Sequence, residues 1–410
     1  MLGSHSRRVP QRRAASQPLN ASLPEPGADE RAHSDALVAR IGEEIAARGP
    51  IPFSRYMELA LYAPGLGYYS AGPTKFGASG DFITAPELGN LFARTNARAL
   101  APVLRTLGAA ADVVELGGGS GAFALEALRE LARLDAVPRR WRLLEPSADL
   151  AQRQRERLGG DLPAEVAARV EWIARPPESP WQGVLFANEV VDALPATRFA
   201  IGDGEVFEEH VGFEVGRLLR IDRPADALVG GAVRHVERAL GVPFDEGYRS
   251  EMLPQLPYWM QAVTATLEAG LVLFLDYGYP RREYYRPERR DGTLVCHYRH
   301  RAHGDPLHWP GLTDLSTFVD FTALAEAGVG AGFDFTGYAP QGQFLLASGL
   351  PELIEEAAGL AEPERLRLVA EAKRLTLPTD MGERFQAIAF ARGIDDPLPG
   401  LRAFDLSRRL

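Results

Sequence analysis

The sequence predicts an α/β fold built around a mostly parallel sheet, and three observations support this prediction. Short apolar segments alternate with helical segments from about residue 111 onward. A glycine-rich turn, Gly117 to Gly121, directly follows the first apolar segment. Polar or acidic residues stand at the ends of later segments, as at Glu145 and Asn188. Repeated strand–helix units bury both faces of a parallel sheet under helices, which accounts for the apolar strands.

Each predicted strand is a short apolar run bounded by polar residues or glycine. Strands are expected at residues 113–116, 141–144, 170–173, 184–187, 271–275 and 344–347. Helices are expected at 36–47, 53–61, 122–134 and 318–327, and one more is expected to contain Met260 and Leu267. Residues 198–222 alternate polar and apolar side chains around Asp203-Gly204, which predicts an antiparallel hairpin inserted after the fourth strand.

These patterns divide the chain into four predicted segments. We expect a disordered tail over residues 1–33, an N-terminal helical or lid segment over 34–110, an α/β core over 111–350 and a C-terminal helical segment over 351–410. Within the core, the inserted hairpin and the helical region after it are expected to span about residues 196–260.

Composition and charge narrow the class of protein. The 410 residues are 46% hydrophobic and 24% charged, as in ordinary globular proteins. A net charge of −10 argues against a nucleic-acid partner. No apolar stretch approaches the ~20 residues that a membrane span needs, and a single cysteine excludes an internal disulfide framework. We expect a bacterial cytoplasmic protein, with the mitochondrial matrix as the alternative because the first residues are rich in Arg and Ser.

The glycine turn predicts a cofactor site. Gly117, Gly119 and Gly121 let the backbone approach a ligand closely, and the helix that follows offers its positive N-terminus. The spacing Gly117-x-Gly119-x-x-Ala122 also satisfies a looser dinucleotide-binding pattern, so the turn alone leaves a nicotinamide cofactor open. The purely structural alternative is a tight turn that packs the helix on the strand.

Two acidic residues favour S-adenosylmethionine. Glu115 precedes Gly117 by two residues, an arrangement typical of methyltransferases, and its carboxylate can reach the methionine amino group directly or through water. Glu145 ends the second strand, where it can accept hydrogen bonds from both ribose hydroxyls. Because dinucleotide-binding proteins also place an acid there, Glu145 predicts a ribose rather than one particular cofactor.

The fourth strand ends in residues suited to the chemical step. Asn188 is expected beside the transferred group, and Glu189 and Asp192 are three residues apart, so a helical turn would place both on one face. Paired carboxylates of this kind would orient a protonated guanidinium group. In the competing interpretation, Glu189 makes a structural hydrogen bond and Asp192 caps a turn.

Two loops add candidate residues. Asp81 lies in a glycine-flanked loop that could fold over the cofactor as a lid, or could only stabilise its own turn. The segment 296–308 is rich in histidine, and His300 or His303 is a candidate general base. Zinc is an alternative for this segment, but it lacks a second paired arm of Cys or His ligands, so we expect no metal.

Several motifs are spread in order over residues 80–345. They read Gly-Asp-Phe-Ile-Thr-Ala-Pro-Glu at 80–87, Val-Glu-Leu-Gly-Gly-Gly-Ser-Gly at 114–121, Glu-Pro-Ser at 145–147, Ala-Asn-Glu-Val-Val-Asp-Ala-Leu-Pro at 187–195, Asp-Tyr-Gly at 276–278, Asp-Pro-Leu at 305–307, Pro-Gly-Leu-Thr-Asp at 310–314, Val-Asp-Phe at 319–321 and Gln-Gly-Gln-Phe at 341–344. Together they resemble the MidA family of methyltransferases. The glycine turn departs from the usual family form at Gly118 and Ser120, where Pro and Arg are common, and this could alter the stiffness of the loop.

The resemblance implies a fold, a cofactor and an acceptor. The fold would be a Rossmann-like class I methyltransferase sheet over residues 111–350, with S-adenosylmethionine as the cofactor. The partner would be a protein substrate, methylated on an arginine of a respiratory complex I-type subunit. Two alternatives stay open, namely a small-molecule carboxylate O-methyltransferase and a non-catalytic S-adenosylmethionine-binding assembly factor.

Overall fold

The computed structural model describes residues 23–70, 84–395 and 397–410, and its chain divides into two units. The first, which we call the core unit, comprises Gln255–Arg281, Phe318–Leu410 and Ile83–Asp192. The other, the second unit, comprises Ala193–Pro254, Arg282–Thr317 and the described part of Met1–Phe82. No helix within the described residues is long and apolar enough to cross a membrane.

The strands and helices of the described residues are numbered in chain order. The strands are β1 (Ile51–Pro52), β2 (Asp112–Leu116), β3 (Arg140–Leu144), β4 (Val170–Ile173), β5 (Trp181–Asn188), β6 (Thr197–Gly202), β7 (Glu205–Glu214), β8 (Arg217–Pro224), β9 (Arg249–Met252), β10 (Leu267–Tyr279), β11 (Val295–Tyr298), β12 (Arg301–His303), β13 (Asp314–Ser316), β14 (Val319–Asp320), β15 (Asp334–Pro340) and β16 (Phe385–Arg392). The α-helices are α1 (Ala28–Arg48), α2 (Phe53–Tyr62), α3 (Ala85–Leu88), α4 (Leu91–Leu107), α5 (Ala122–Arg133), α6 (Ala148–Asp161), α7 (Ala164–Ala167), α8 (Ala227–Leu240), α9 (Leu256–Thr264), α10 (Arg281–Tyr284), α11 (Phe321–Gly330), α12 (Gln341–Ala347), α13 (Leu350–Glu356), α14 (Glu362–Thr376) and α15 (Pro399–Arg402).

The core unit is built on one mixed sheet. Its strands lie in the order β15-β16-β10-β5-β2-β3-β4, and β14 pairs with β10. The neighbours from β10 to β4 are parallel, whereas β16 runs antiparallel to both β10 and β15. Because β2, β3, β5 and β10 are parallel, their carboxyl ends meet at one edge of the sheet. That edge is where an open α/β sheet binds its ligand.

Apolar strands and helix faces pack on this sheet as the sequence predicts. On β2, the side chains from Asp112 to Leu116 are all buried. Phe123 of α5 stacks on Phe186 of β5, with ring centroids 4.1 Å apart, and Trp141 of β3 packs against the same Phe123 ring. This aromatic group anchors the helix that begins at the glycine turn, and so positions the turn itself.

The second unit contains two antiparallel sheets. One follows the order β1-β7-β6-β9 with β8 paired to β7, and the other is β12-β11-β13. The hairpin between β6 and β7 turns at Asp203-Gly204, so the predicted hairpin over 198–222 is confirmed. Inside this unit Arg198 is buried and forms ion pairs with the buried carboxylates of Glu209 and Glu251.

Four predicted elements are wrong. Residues 28–33, assigned to a disordered tail, begin α1, and Leu267, assigned to a helix, begins β10. Residues 344–347 belong to helix α12 rather than to a strand. The C-terminal segment 351–410, predicted to be helical, supplies strand β16. The last three errors concern short apolar runs, for which periodicity does not separate helix from strand. In α1, acidic residues of the first turn favour the earlier helix start.

Candidate functional site

The glycine turn joins β2 to α5 through three residues with positive φ. Gly117, Gly119 and Gly121 have φ of 65°, 50° and 80°, a region that favours glycine. A Cβ atom added to Gly117 would lie 3.0 Å from the Val190 side chain, whereas one added to Gly119 would have no atom within 4 Å. The turn therefore leaves open space in front of Gly119, as the approach of a ligand requires.

The two residues that depart from the family form have local partners. A Cβ atom on Gly118 would lie 2.5 Å from the Leu143 side chain, so a larger residue here would need Leu143 to move. The Ser120 hydroxyl donates a hydrogen bond to Glu87, and Arg157 donates one to that hydroxyl at 2.7 Å. The arginine that binds the turn thus comes from helix α6 instead of from position 120.

Glu115 lies on β2 and faces the interior. The indole Nε1 of Trp141 donates a hydrogen bond of 2.7 Å to its carboxylate. Burial raises the pKa of Glu115 to about 8, against the lowering effect of the indole N–H, and the nearby charge of Glu145 adds to the increase. A carboxylate with this pKa is protonated for much of the time at neutral pH, and it would ionise beside a cationic group.

Glu145 follows the end of β3. Its Oε1 accepts from the backbone N–H of Ser147 at 3.0 Å, and its Oε2 accepts from Gln154 at 3.2 Å. Burial raises its pKa, and these two hydrogen bonds oppose the increase. Each carboxylate oxygen can accept more than one hydrogen bond, so Glu145 retains the capacity to bind a pair of hydroxyl groups.

Asn188 and Glu189 stand where β5 ends. The Asn188 amide donates to the Glu189 carboxylate at 3.0 Å, and its Oδ1 is a buried acceptor with no partner in the described part of the chain. Glu189 has φ of 53°, an uncommon backbone conformation for a residue other than glycine. Strain of this kind concentrates at functional sites. An unfilled acceptor beside a strained acid indicates a place that a hydrogen-bond donor would occupy.

Asp276 and Tyr277 lie near the carboxyl end of β10. Asp276 forms an acidic group with Glu189 and Asp192. Asp276 is buried, and its carboxylate accepts from the backbone N–H groups of Val191 (3.0 Å), Asp192 (3.3 Å) and Tyr277 (2.8 Å). The Tyr277 hydroxyl donates to Asp192 at 2.6 Å. Burial, followed by the charges of Asp192 and Glu189, raises the pKa of Asp276 well above its ordinary value.

This arrangement corrects one prediction and adds two residues. The segment after β5 forms a bend and turn rather than a helical turn, because the N–H groups of Val191 and Asp192 bind Asp276 instead of an intrahelical carbonyl. In the sequence, Asp276 and Tyr277 stand out only as part of the Asp-Tyr-Gly motif. Their position at the end of the fifth predicted strand is the signal that could have identified them.

The structure brings most of the predicted site residues to one edge of the core sheet, but not all of them. Glu115, the glycine turn, Glu145, Asn188, Glu189 and Asp192 lie at this edge. His300 belongs to the second unit, where it is exposed in the turn between β11 and β12. Asp81 lies outside the described residues. Within residues 23–70, 84–395 and 397–410, no group of three or more His, Cys, Asp or Glu side chains could hold a metal ion.

Comparison with known proteins identifies relatives along most of the chain. A crystal structure of a protein from Burkholderia thailandensis bound to S-adenosyl-homocysteine is 42% identical, with a TM-score of 0.88 over 95% of this chain and 100% of that one. The protein arginine methyltransferase NDUFAF7 homolog, mitochondrial, of Drosophila melanogaster is 27% identical over 405 residues, 90% of this chain and 88% of its own. The human mitochondrial protein arginine methyltransferase NDUFAF7 is 28% identical over 381 residues, 84% of this chain and 81% of its own.

The residues at the sheet edge fit S-adenosylmethionine. The open space at Gly119 admits a ligand, and Glu145 can bind a ribose diol. A family model for S-adenosyl-L-methionine-dependent methyltransferases matches residues 95–339, more than half of the chain. The nicotinamide alternative is therefore set aside, and the predicted class I methyltransferase fold is confirmed. The chain belongs to the family of S-adenosyl-L-methionine-dependent methyltransferases, and S-adenosylmethionine is its cofactor.

Proposed function

We propose that the protein methylates an arginine side chain of a protein substrate. The observation that carries this proposal is the acidic group at the ends of β5 and β10, formed by Glu189, Asp192 and Asp276. It lies beside the unpartnered carbonyl oxygen of Asn188. The carboxyl groups of Glu189 and Asp192, together with this carbonyl oxygen, suit an acceptor that is cationic and rich in N–H donors.

The chemistry of guanidinium explains why acids are needed. Arginine is protonated at any physiological pH and presents five N–H donors but no ready lone pair. Carboxylates that accept two of these N–H groups orient the guanidinium and polarise the nitrogen that reacts. In our proposal Glu189 and Asp192 bind the acceptor and take up the proton that it releases. Bound S-adenosylmethionine supplies the electrophilic methyl group.

Asp276 has a different role in this proposal. Its carboxylate is committed to three backbone N–H groups, those of Val191, Asp192 and Tyr277. It therefore acts as a positioning residue that holds the turn after β5. Tyr277, by its hydrogen bond to Asp192, directs that carboxylate. We expect neither Asp276 nor Tyr277 to contact the cofactor.

We also propose that Glu115 and Glu145 recognise two different parts of S-adenosylmethionine. Glu115 would bind the methionine ammonium, directly or through water, and Glu145 the ribose hydroxyls. The glycine turn at Gly117, Gly119 and Gly121 would admit the ligand without steric conflict. Asp81 in a lid loop and His300 as a base stay predictions from the sequence alone.

A carboxylate acceptor is the main alternative, and charge disfavours it. The acidic group would repel a carboxylate, and two arginines of the stretch from residue 281 are engaged elsewhere. Arg281 is buried and paired with Asp320 and Glu326, and Arg289 donates to two backbone carbonyl groups. These two arginines serve the fold. We therefore favour a basic protein partner, with a respiratory-complex subunit as the candidate that the family resemblance implies.

Peptide methylation tests the proposal. The protein would be incubated with labelled S-adenosylmethionine and three matched pools of degenerate peptides. The pools differ only in the fixed central residue, which is arginine in the first, lysine in the second and glutamate in the third. We expect transfer to the arginine pool, with mass spectrometry placing the methyl group on the guanidinium. Transfer to the glutamate pool instead, as a methyl ester, would support the carboxylate alternative. No transfer to any pool or to a cell lysate, despite cofactor binding, would favour the non-catalytic assembly factor.

A further inference from the structure

Gln154 of helix α6 is a buried polar residue that contacts both the glycine turn and Glu145. Its side chain is fully buried. The amide Nε2 donates to the backbone carbonyl of Gly119 at 2.8 Å and to the Glu145 carboxylate at 3.2 Å. The amide Oε1 accepts from the indole N–H of Trp172 at 2.9 Å. All these contacts lie within the core unit.

The orientation of this amide follows from its partners. An indole N–H can only donate, so the Gln154 oxygen must face Trp172, and both amide N–H groups must then point to the other side. There they meet a backbone carbonyl and a carboxylate, which can only accept. Both N–H donors of Gln154 are thereby satisfied. A buried side chain whose donors all form hydrogen bonds is held in one conformation.

We propose that Gln154 is a positioning residue for the cofactor, which couples the ribose-binding carboxylate of Glu145 to the glycine turn at Gly119. The same amide group holds the Glu145 carboxylate from one side while Ser147 holds it from the other. Ribose recognition and the shape of the turn therefore depend on one side chain that need not touch the ligand. This inference rests on the S-adenosylmethionine-binding role and not on the identity of the acceptor.

Loss of the amide would weaken Glu145 as an acceptor for hydroxyl groups. A buried carboxylate that loses one of its two donors is less stable in its charged form. The protonated form, or a rotated carboxylate, would bind a diol poorly. The effect should therefore be large for a ligand that carries the ribose hydroxyls, and small for one that lacks them.

The experiment measures binding by calorimetry without any acceptor. S-adenosylhomocysteine and an analogue that lacks the 2′- and 3′-hydroxyls would be titrated into the wild type and Gln154→Leu. We expect the variant to lose about tenfold in affinity for S-adenosylhomocysteine, and about twofold for the analogue. Gln152→Leu is the matched control, because Gln152 lies exposed on the same helix and donates a hydrogen bond to the exposed Glu156; it should change neither affinity.

Equal losses for both ligands would overturn the proposal, since they would reveal a general structural role for Gln154. Unchanged affinities for both ligands would also overturn it. If the leucine variant does not fold, as judged by circular dichroism, Gln154→Met keeps a side chain of similar length and shape while it removes the amide donors. The same difference between the two ligands is expected for that variant. None of these results depends on whether arginine is the acceptor.

Discussion

Glu189 combines three features that a structural residue seldom shows together. It has a positive φ of 53°, it accepts a hydrogen bond from Asn188, and its charge raises the pKa of the buried Asp276. Strain at a charged residue costs free energy, and such strain persists where the surrounding structure determines it. In our account this conformation directs the Glu189 carboxylate at the acceptor.

Replacement of Glu189 by glutamine separates catalysis from cofactor binding. Glu189→Gln keeps the size of the side chain and removes its charge. We expect turnover to fall at least ~100-fold, about 2.7 kcal/mol of transition-state stabilisation, with unchanged affinity for S-adenosylhomocysteine. Glu268→Gln, an exposed glutamate of the same unit, is the control. Normal turnover in Glu189→Gln would show that Glu189 has only a structural role.

Glu115 makes cofactor binding depend on pH. Its pKa of about 8 in the free protein means that it carries a proton over much of the range below that pH. A bound ammonium group favours the ionised carboxylate, so binding releases a proton below pH 8, and affinity must rise with pH until it levels near pH 8. Calorimetry of S-adenosylhomocysteine binding across this range measures the effect.

The variant Glu115→Gln provides the control for that pH dependence, because it cannot ionise. Its affinity for S-adenosylhomocysteine should be lower and should not rise between neutral pH and about pH 8. A flat profile in the wild type would show that the ligand ammonium does not interact with Glu115. In that case the carboxylate would serve only to bind the indole N–H of Trp141.

At the scale of residues, what the sequence predicts is mostly local. Glu115, Glu145 and Asn188 could be proposed because each stands at a fixed distance from its own strand or turn. The roles of Asp276 and Gln154 could not, because they depend on neighbours distant along the chain. Asp276 acts on the turn after β5 only because β10 pairs with β5, and such pairing is not encoded in a local pattern.

Among the elements, the pairing of β5 with β10 depends on two glycines. Gly183 on β5 and Gly270 on β10 lie opposite each other, with φ of 149° and 147°. A Cβ atom on Gly270 would lie 1.9 Å from the carbonyl oxygen of Gly183, so no side chain fits without a shift of the backbone. These two strands carry Asn188 and Asp276 to the site.

Gly270→Ala should therefore destabilise the fold. We expect the free energy of unfolding to fall by about 2 kcal/mol or more, from a forbidden φ combined with a steric clash. Chemical denaturation measures it. Gly159→Ala is the control, because Gly159 lies in helix α6 with no atom within 4 Å of an added Cβ, and it should gain about 0.5–1 kcal/mol. Equal stability of the two variants would contradict this view of the β5–β10 pair.

The sequence predicted the elements around the glycine turn well and those near the C-terminus poorly. Strands β2 and β3 lie directly before and after helix α5, which has a clear apolar face, so pattern and length agree. In contrast, β16 is Phe385–Arg392, a run in which three residues are alanine, and α12 is a seven-residue helix with an apolar run of its own. Tertiary pairing decides such segments, since their local pattern is compatible with either structure.

At the scale of the whole molecule, the two units interleave along the chain. The core unit is interrupted at Ala193–Pro254 and again at Arg282–Thr317. The first interruption resembles the predicted insertion at about 196–260. The second, which contains the histidine-rich segment, was not separated from the core in the prediction. An apolar pattern shows that a segment is buried, but not which distant segment it packs against.

Binding of an arginine by the acidic group at the ends of β5 and β10 can be tested directly by labelling. A lysate from cells that lack the gene would be incubated with tritiated S-adenosylmethionine and the wild-type protein, with Glu189→Gln as the background. The labelled protein would then be treated with mild base and hydrolysed to amino acids. We expect label that survives base, elutes with methylarginine and is absent with Glu189→Gln. Label that mild base releases, as from a methyl ester, or label on lysine would contradict it.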